Sequence, residues 1–314
     1  MKTSQEEIKF PSVSVLSEPL SGYFRCQFLL KKWIKKLIFS KSFWPKWVLE
    51  SILQGLEETS GIQWNYNPSE DKLYEIVYVP IGLDALRYAL QLKKRKKIKK
   101  LIVGPNITSP TSARDIFFHP EIDTIVVPSP WIRDWFFYML GRKDRRISLL
   151  PAWVDDCGPR TSSEKVIVFK KECPENIFQV VCTALNNQGI DYEVYEYGKF
   201  KKQEYLQTLS ETKFLIYLQT SETQWIALHE AWMRDVPTLV WNRGYCEYKW
   251  NIWKDPHISA PYLTSECGMF FTSEEDFPET FHLFFQKLSL YSPRQYSLDH
   301  FTHKQTIAKL LSLL

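Results

Sequence analysis

Two carboxylates, Glu222 and Glu230, lie eight positions apart in the segment Ser221–Asn242. Carboxylate oxygens are hydrogen-bond acceptors, so such a pair suits the hydroxyl groups of a sugar or of a ribose diol. Both can line one ligand crevice if they flank the junction between a loop and a helix. The spacing therefore suggests a site for a nucleotide sugar.

The elements around this pair are predicted to be a strand, a loop, a helix and a second strand. The run Lys213–Thr220 is the incoming strand, and Ser221 and Thr223 are typical helix caps. Pro237 ends the helix before the next β-rich run. In such a parallel unit the loop and the first helical turn face the ligand crevice, and the free N–H groups there attract phosphate. The alternative is that both Glu are solvated helix charges, which is the better explanation for an isolated pair.

The pattern of Glu, seven residues, Glu, Ala and a bulky residue, followed by a Val-Pro strand start, resembles the donor-site signature of one family. This family is the retaining GT-B glycosyltransferases of the "group one" or family-four type. The resemblance implies that Glu222 contacts the donor sugar, that Glu230 contacts the ribose, and that the diphosphate lies on the helix N-terminus between them. The chain departs from the family at Trp225, where Gly is usual, and at His229, where an aliphatic residue is usual.

Other donor-site candidates come from the ends of neighbouring strands. Lys170 and Lys171 directly follow a strand, and the resemblance implies that one of them binds the donor diphosphate; a solvated lysine pair is the alternative. Tyr197 and Gly198 end another strand, where a nucleotide base can stack. The predicted donor site also includes the loop before the helix, namely Ser221, Thr223, Gln224 and Trp225.

Composition narrows the class of protein. Among the 314 residues, 44% are hydrophobic and 24% are charged, which excludes a disordered chain. No apolar run reaches the roughly 18 residues of a membrane span, and the start of the chain lacks the apolar stretch of a secretory signal. The six cysteines are scattered, as expected of reduced cytoplasmic thiols. We expect no metal and no cofactor, because the chain has neither clustered His and Cys ligands nor an Asp-x-Asp triplet.

Two series of β-like runs alternate with helical segments, which predicts an α/β fold of two Rossmann-like, doubly wound domains facing across a cleft. We place the boundary after residue 157, in a Gly-, Pro- and Ser-containing linker. The resemblance implies that residues 1–157 bind the acceptor, that residues 158–314 bind the donor, and that the last helix, Ser297–Leu314, crosses back. The predicted strands are Ser12–Leu16, Glu75–Pro80, Lys100–Ile107, Thr124–Ser129 and Ile147–Val154, then Lys165–Lys171, Tyr192–Tyr197, Lys213–Gln219, Thr238–Trp241 and Met269–Thr272.

Two residues of the first half are candidates for the acceptor side of the cleft. Asn106 follows a strand in a Gly-Pro-Asn segment, where a plain turn is an equally good interpretation. Ser129 precedes Pro130 and a predicted helix, in a segment that resembles the family's "Pro-Ser-x-Trp" motif before the interdomain hinge.

Two basic tracts fall in the first half. Lys31–Lys36 interleaves lysines with Trp33 and Ile34, and seven of the eight residues Lys93–Lys100 are Lys or Arg. Basic amphipathic segments bearing Trp are typical of proteins that lie on an anionic membrane surface, here the inner face of the membrane. Ordinary solvated surface is the alternative. We expect no nucleic-acid partner, because no recognised motif accompanies the tracts and the net charge is only +4.

These features together predict a cytoplasmic glycosyltransferase that moves a sugar from a nucleotide-sugar donor to a glycan or lipid-linked acceptor. The departure at Trp225 motivates one alternative, a catalytically degenerate transferase-like binding subunit. The basic tracts motivate another, a membrane or nucleic-acid adaptor. Binding of a nucleoside diphosphate separates the first two from the adaptor, and donor hydrolysis separates the enzyme from the subunit.

Overall fold

The computed structural model describes residues 11–21, 25–26, 29, 45–106, 114–162, 164–248 and 251–314. The chain divides into two compact units, each assembled from more than one stretch of sequence. The first unit comprises the described residues of Met1–Pro128, Phe136–Leu150 and Lys304–Leu314, and the second comprises those of Ser129–Trp135 and Pro151–His303.

The first unit contains a parallel sheet with the strand order β2-β1-β3-β4-β5-β6. Each predicted strand of this unit is present, because short apolar runs of this kind are buried in parallel sheets, but β4 and β6 end earlier than predicted, at Val103 and Leu149. The strand β2 was not predicted, since its sequence QWNY is polar and half-exposed at the sheet edge. The strands are β1 (Ser12–Val15), β2 (Gln63–Tyr66), β3 (Ile76–Val79), β4 (Lys100–Val103), β5 (Thr124–Val127) and β6 (Ile147–Leu149).

Helices connect these strands. The side chains of Val13, Val77, Ile102 and Ile125 are fully buried in the core of the sheet. The helical segments are Pro45–Glu57, the 3₁₀ turn Glu70–Lys72, Leu83–Lys94, Arg114–Phe117, Pro130–Leu140 and His303–Leu311. The first residues of Pro130–Leu140, up to Trp135, and His303 are assigned to the second unit.

The second unit contains a parallel sheet with the order β13-β10-β9-β7-β8 and a two-stranded antiparallel hairpin, β11-β12. The hairpin was not predicted from the sequence. The strands are β7 (Lys165–Lys170), β8 (Tyr192–Glu196), β9 (Thr212–Leu218), β10 (Thr238–Trp241), β11 (Tyr245–Tyr248), β12 (Asn251–Lys254) and β13 (Gly268–Phe271). The helical segments are Glu175–Asn187, Lys202–Leu209, Ile226–Met233, Phe277–Gln286, the 3₁₀ turn Leu288–Leu290 and Pro293–His300.

The prediction of one continuous C-terminal helix over Ser297–Leu314 is wrong. Two helices occupy this region, Pro293–His300 and His303–Leu311. Phe301 leaves the helical backbone region (φ −135°) and buries its ring edge-on against Trp225, with 4.6 Å between ring centroids. Burial of this ring explains why the helix is interrupted.

Strand order places the carboxyl ends of β7 and β9 at a topological switch point. The chain passes from β7 to β8 on one side and then to β9 on the other side of β7. In open α/β sheets the crevice outside such a point is the usual ligand site. Lys171 follows β7 and Glu222 lies in the loop after β9, so both are at this position.

No helix within the described ranges has both the length and the apolar character needed to cross a membrane.

Candidate functional site

Glu222 is held through both of its carboxylate oxygens. Oε1 accepts hydrogen bonds from the backbone N–H groups of Gln224 and Trp225, each at 3.1 Å. Oε2 accepts one from Lys171 Nζ at 3.1 Å and one from the Tyr217 hydroxyl at 2.8 Å. The side chain is 8% exposed. A buried carboxylate with four donors is fixed in position and fully hydrogen-bonded.

The backbone of Glu222 is fixed as well. Its N–H donates to the carbonyl of Ile258 at 2.8 Å, and its carbonyl accepts a hydrogen bond from Trp131 Nε1 at 2.9 Å. Both partners belong to the second unit. The loop after β9 is therefore anchored from two distant parts of the sequence.

The expectation that Ser221 and Thr223 cap the following helix is wrong. Trp225 occupies the N-cap position in the left-handed conformation (φ 46°, ψ 24°) and makes no side-chain capping bond. The Glu222 carboxylate accepts from the N–H groups just before the helix instead. A carboxylate at this place also complements the positive end of the helix dipole.

All eight residues of the helix Ile226–Met233 are buried. The helix packs on every side, which is typical of a helix in the interior of a unit. His229 stacks on Trp225 with 4.4 Å between ring centroids, and burial lowers the pKa of His229 to about 3. His229 is therefore a neutral packing residue at ordinary pH.

The two candidate lysines have different surroundings. Lys171 Nζ pairs with Glu222, as described above, and lies 4.9 Å from the centre of the Tyr197 ring. Lys170 Nζ pairs with Glu175 at 2.8 Å and lies over the ring of Phe178. Successive strand residues point to opposite faces of a sheet, which explains the difference. The structure thus brings Lys171, and not Lys170, to Glu222.

The ion pair shifts the pKa of both partners. Burial raises the pKa of the Glu222 carboxyl, but Lys171, the Tyr217 hydroxyl and the Trp225 N–H outweigh burial and bring it below its usual value. Burial lowers the pKa of Lys171, but Glu222 outweighs burial and brings it above its usual value. Both groups are therefore charged at neutral pH.

Tyr197 lies beside this pair, and Gly198 follows it in the chain. The Tyr197 N–H donates to the carbonyl of Lys170 at 2.8 Å, which continues the strand ladder by one residue. Gly198 has a positive φ of 80° and turns the chain after β8. The predicted stacking of a base on Tyr197 stays a prediction.

Glu230 faces a different group of residues. Its Oε1 lies 2.8 Å from Lys202 Nζ, and its side chain is 5% exposed. Burial raises the pKa of the Glu230 carboxyl, and the opposing effect of Lys202 is smaller. The pair lines a pocket of the second unit together with Val154, Asp155, Cys157, Leu206, Met233 and Arg234. None of the residues that hydrogen-bond to the Glu222 side chain lines this pocket.

The other predicted donor-site residues surround Glu222. Ser221, Thr223 and Gln224 are half-buried, and Trp225 is fully buried. The Ser221 carbonyl accepts a hydrogen bond from the Gln219 side chain. Among the described residues, no cluster of three or more His, Cys, Asp or Glu side chains has the arrangement of a metal site.

Asn106 and Ser129, the two acceptor-side candidates, belong to different units. The Asn106 N–H donates to the carbonyl of Pro80 at 3.1 Å. Just before it, a Cβ on Gly104 would lie 2.1 Å from the Val126 carbonyl oxygen, so this close approach requires glycine. Ser129 is fully buried, and its carbonyl accepts from the Arg133 N–H at 3.1 Å. The role of both residues in acceptor binding stays a prediction.

The tract Lys93–Lys100 is part solvated and part paired. Lys93 pairs with Asp123 and Lys99 pairs with Glu75, each at 2.6 Å, while Lys100 Nζ donates to the carbonyl of Leu314 at 2.9 Å. Its exposed members are Lys94, Arg95, Lys96, Lys97 and Lys99. The tract Lys31–Lys36 lies outside the described residues.

Sequence reasoning missed Tyr217, Trp131 and Lys202 as neighbours of the two glutamates. Tyr217 is inside a strand, where an aromatic residue is expected for packing alone. Trp131 is ninety-one positions from Glu222. Lys202 stands between Lys201 and Gln203 at a helix start, in a setting that resembles solvated surface. None of the three carries a local sequence signal for its role.

No protein-family model matches the chain, and no curated protein sequence matches it significantly. Solved structures do match. The lipopolysaccharide outer core galactosyltransferase WaaB in its apo form aligns over 96% of this chain and 100% of its own, with a TM-score of 0.60 and 11% identity. Anabaena HepE in complex with UDP and glucose aligns over 96% and 99%, with a TM-score of 0.57 and 12% identity.

A third match is a mutant of S. aureus TarM in complex with Fondaparinux, alpha-GlcNAc-glycerol and UDP. It aligns over 76% of this chain and 55% of its own, with a TM-score of 0.52 and 10% identity. At these identities the similarity is one of fold. The two parallel α/β sheets and these alignments together identify the fold of the chain as that of the GT-B glycosyltransferases.

Proposed function

We propose that the chain is a glycosyltransferase that moves a sugar from a nucleotide-sugar donor to a glycan or lipid-linked acceptor. The observation that carries this proposal is the Lys171–Glu222 pair at the switch point of the second unit. A cation beside a carboxylate at this position suits a ligand that has both a diphosphate and sugar hydroxyls. The GT-B fold supports the same class of reaction.

In the proposed reaction, Lys171 stabilises the negative charge that develops on the departing diphosphate. Glu222 orients the donor sugar by accepting a hydrogen bond from a hydroxyl group, and Glu230 accepts one from the ribose. We propose transfer without a metal, because the chain has no Asp-x-Asp triplet. Retention of configuration is what the resemblance to the family implies. Catalysis then depends mainly on positioning and on electrostatic stabilisation.

Asn106 and Ser129 are the proposed contacts of the acceptor, and Ser129 belongs to the second unit. The first unit contains Asn106 and the tract Lys93–Lys100. The exposed residues of Lys93–Lys100 give this unit a cationic surface that suits an anionic membrane. A cytoplasmic enzyme with a lipid-linked acceptor would work at such a surface.

A second candidate is a transferase-like binding subunit without activity. Two observations favour it: Trp225 fills the position where the family usually has Gly, and Glu222 already has four hydrogen-bond donors. Such a subunit would bind the nucleotide but would neither transfer nor hydrolyse the donor sugar.

The test is a panel of nucleoside diphosphates and their sugars, with UDP first because two of the similar structures contain it. Bound ligand raises the thermal stability of a protein by mass action. We expect at least one nucleoside diphosphate to raise the melting temperature, and its sugar to be hydrolysed slowly or transferred. No stabilisation by any member of the panel would contradict the proposal, and stabilisation without turnover would favour the binding subunit.

Lys171→Ala and Lys170→Ala refine this test. Lys171→Ala should weaken nucleoside diphosphate binding by at least about tenfold, because a charge-assisted contact with phosphate is lost. Lys170→Ala is the matched control, since this neighbouring lysine pairs with Glu175. It should leave the dissociation constant unchanged.

A further inference from the structure

Lys171 Nζ is engaged by the same carboxylate that is proposed to bind the donor sugar. It donates to Glu222 Oε2 at 3.1 Å, and its side chain is 21% exposed while that of Glu222 is 8% exposed. A diphosphate that approaches Lys171 from solvent therefore meets an ammonium that already has an anionic partner. Two anions close to one cation compete for it.

Glu222 does not need Lys171 to stay in place. The Tyr217 hydroxyl donates to the same Oε2 at 2.8 Å, and two backbone N–H groups donate to Oε1. If Lys171 turns away, three donors still hold the carboxylate. Oε2 then has a free lone pair in a largely desolvated position, where a new hydrogen bond is strong.

We propose that Glu222 is an internal competitor for Lys171, which a nucleoside diphosphate must displace in order to bind. The diphosphate takes Lys171 Nζ from Glu222 Oε2, and the freed Oε2 then accepts a hydrogen bond from the donor sugar. The inference rests on the proposed function, because it assigns an order of events to the same site. Tyr217 is a positioning residue in this scheme, since it keeps Glu222 in place after Lys171 has left.

The scheme gives the site selectivity for intact donors. A free sugar finds Oε2 occupied by Lys171, whereas a nucleotide sugar removes Lys171 with its own diphosphate. Coupling of this kind is reciprocal, so a sugar bound to Oε2 also favours the release of Lys171 towards the diphosphate.

Replacement of a proposed site residue usually weakens ligand binding, but Glu222→Gln should strengthen the binding of a nucleoside diphosphate. Removal of the competing charge frees Lys171, so nucleoside diphosphate binding should become tighter by about tenfold or more, the equivalent of one charge-assisted contact. The ligands for this test carry no donor sugar, so the loss of the proposed contact between Glu222 and the donor sugar does not enter the measurement. Dissociation constants are measured by calorimetry for UDP, GDP, ADP and inorganic pyrophosphate.

Glu222→Asp guards against a folding defect in the first variant, because Glu222→Gln leaves Lys171 without a charged partner. Asp keeps a carboxylate for the N–H groups before the helix but is one methylene shorter than Glu. The shorter side chain should place its carboxylate farther from Lys171. Competition for Lys171 is then weaker, and pyrophosphate should bind severalfold more tightly. Thermal melting checks that each variant is folded.

Glu175→Gln is the matched control, because it removes the carboxylate of the adjacent Lys170–Glu175 pair and changes the net charge equally. It should leave every dissociation constant unchanged. Equal tightening in Glu175→Gln and Glu222→Gln would mean that net charge alone acts, and would overturn the inference.

The remaining outcomes separate the inference from the proposed function. If the wild type binds a nucleoside diphosphate and neither Glu222 variant binds it more tightly, the proposed function stands and the inference falls. If only the Glu222 variants bind pyrophosphate or a nucleoside diphosphate, Glu222 blocks Lys171 without being displaced, and both the inference and the proposed function are overturned. If no form of the protein binds either ligand, both are overturned.

Discussion

The indole N–H of Trp131 donates a hydrogen bond to the backbone carbonyl of Glu222, with 2.9 Å between the two atoms. The indole is 2% exposed, so neither group can turn to water for a replacement partner. The bond ties the start of the helix Pro130–Leu140 to the loop after β9 within the second unit. The position of Glu222 therefore depends on a residue far away in the sequence.

Trp131→Phe should lower the free energy of unfolding by about 1–3 kcal/mol, because the carbonyl of Glu222 stays buried without its donor. The measurement is equilibrium denaturation followed by circular dichroism. Trp241→Phe is a comparison, since the indole bond of Trp241 to the Thr272 carbonyl is longer, at 3.3 Å. A larger loss in Trp241→Phe than in Trp131→Phe would contradict the prediction.

Trp225→Gly should be more stable than Trp225→Ala, which reverses the order that these residues have in helix interiors. Both variants lose a fully buried ring, at a cost of about 3–5 kcal/mol. Trp225 has a left-handed backbone, however, and Gly adopts that conformation without the penalty of about 1–2 kcal/mol that Ala has there. Comparison of the two unfolding free energies tests this, and a more stable Ala variant would show that the backbone relaxes.

Glu222 and Glu230 should contribute to stability with opposite pH dependence. The pKa of Glu222 is lowered below 4.5, so its contribution is present above pH 4.5 and is lost as the pH falls through its folded-state pKa. The pKa of Glu230 is raised above 4.5, so the folded state binds a proton more tightly than the unfolded state does. Stability from Glu230 is then lost as the pH rises from 4.5 through the raised value.

Unfolding free energies of Glu222→Gln and Glu230→Gln across pH 4–8 measure these contributions. Relative to wild type, Glu222→Gln should be most destabilised above pH 4.5, and Glu230→Gln should become relatively more stable as the pH rises above 4.5. Parallel pH profiles for the two variants would rule out the difference in environment that the Lys171 and Lys202 pairs imply.

The exposed basic turn of the first unit should bind anionic membranes in a salt-sensitive way. Each cation near an anionic surface contributes about 1 kcal/mol, over a Debye length of roughly 10 Å at 0.1 M salt. We expect co-sedimentation with vesicles that contain anionic lipid at low ionic strength, and release when salt is added. The test variant replaces four exposed residues by Gln, namely Lys94, Arg95, Lys96 and Lys97.

The control for this experiment replaces four exposed lysines of the second unit by Gln, namely Lys199, Lys201, Lys254 and Lys287. It has the same change in net charge and should keep most of its vesicle binding. Equal losses in the two variants would point to overall charge, and no binding by the wild type at low salt would mean that the tract is ordinary solvated surface.

Much of the architecture was predictable because it depends on local pattern. Runs such as TLVW at Thr238–Trp241 and TIVV at Thr124–Val127 are buried strands of parallel sheets, and their apolar composition reveals this without any tertiary information. The polar edge strand Gln63–Tyr66 and the antiparallel strands Tyr245–Tyr248 and Asn251–Lys254 were missed, because none of them has the composition of a buried strand.

The interruption of the C-terminal helix at Phe301 could not be predicted from the sequence either. The flanking residues continue a helical pattern, and the interruption comes from contact of the Phe301 ring with Trp225, about seventy-six positions away in the chain. Helix propensity is a local quantity, and a buried aromatic contact between distant residues overrides it.

The sequence by itself determined that two glutamates flank a strand-loop-helix junction and that a pair of lysines follows a neighbouring strand. Only the tertiary structure decided that Lys171 pairs with Glu222, that Lys170 pairs with Glu175, and that Glu230 faces Lys202. The physical reason is that side chains alternate between the faces of a strand, while the order of strands in the sheet decides which strand ends are neighbours. Spacing along the chain gives the alternation, but the neighbours across the sheet follow from the packing of the whole unit.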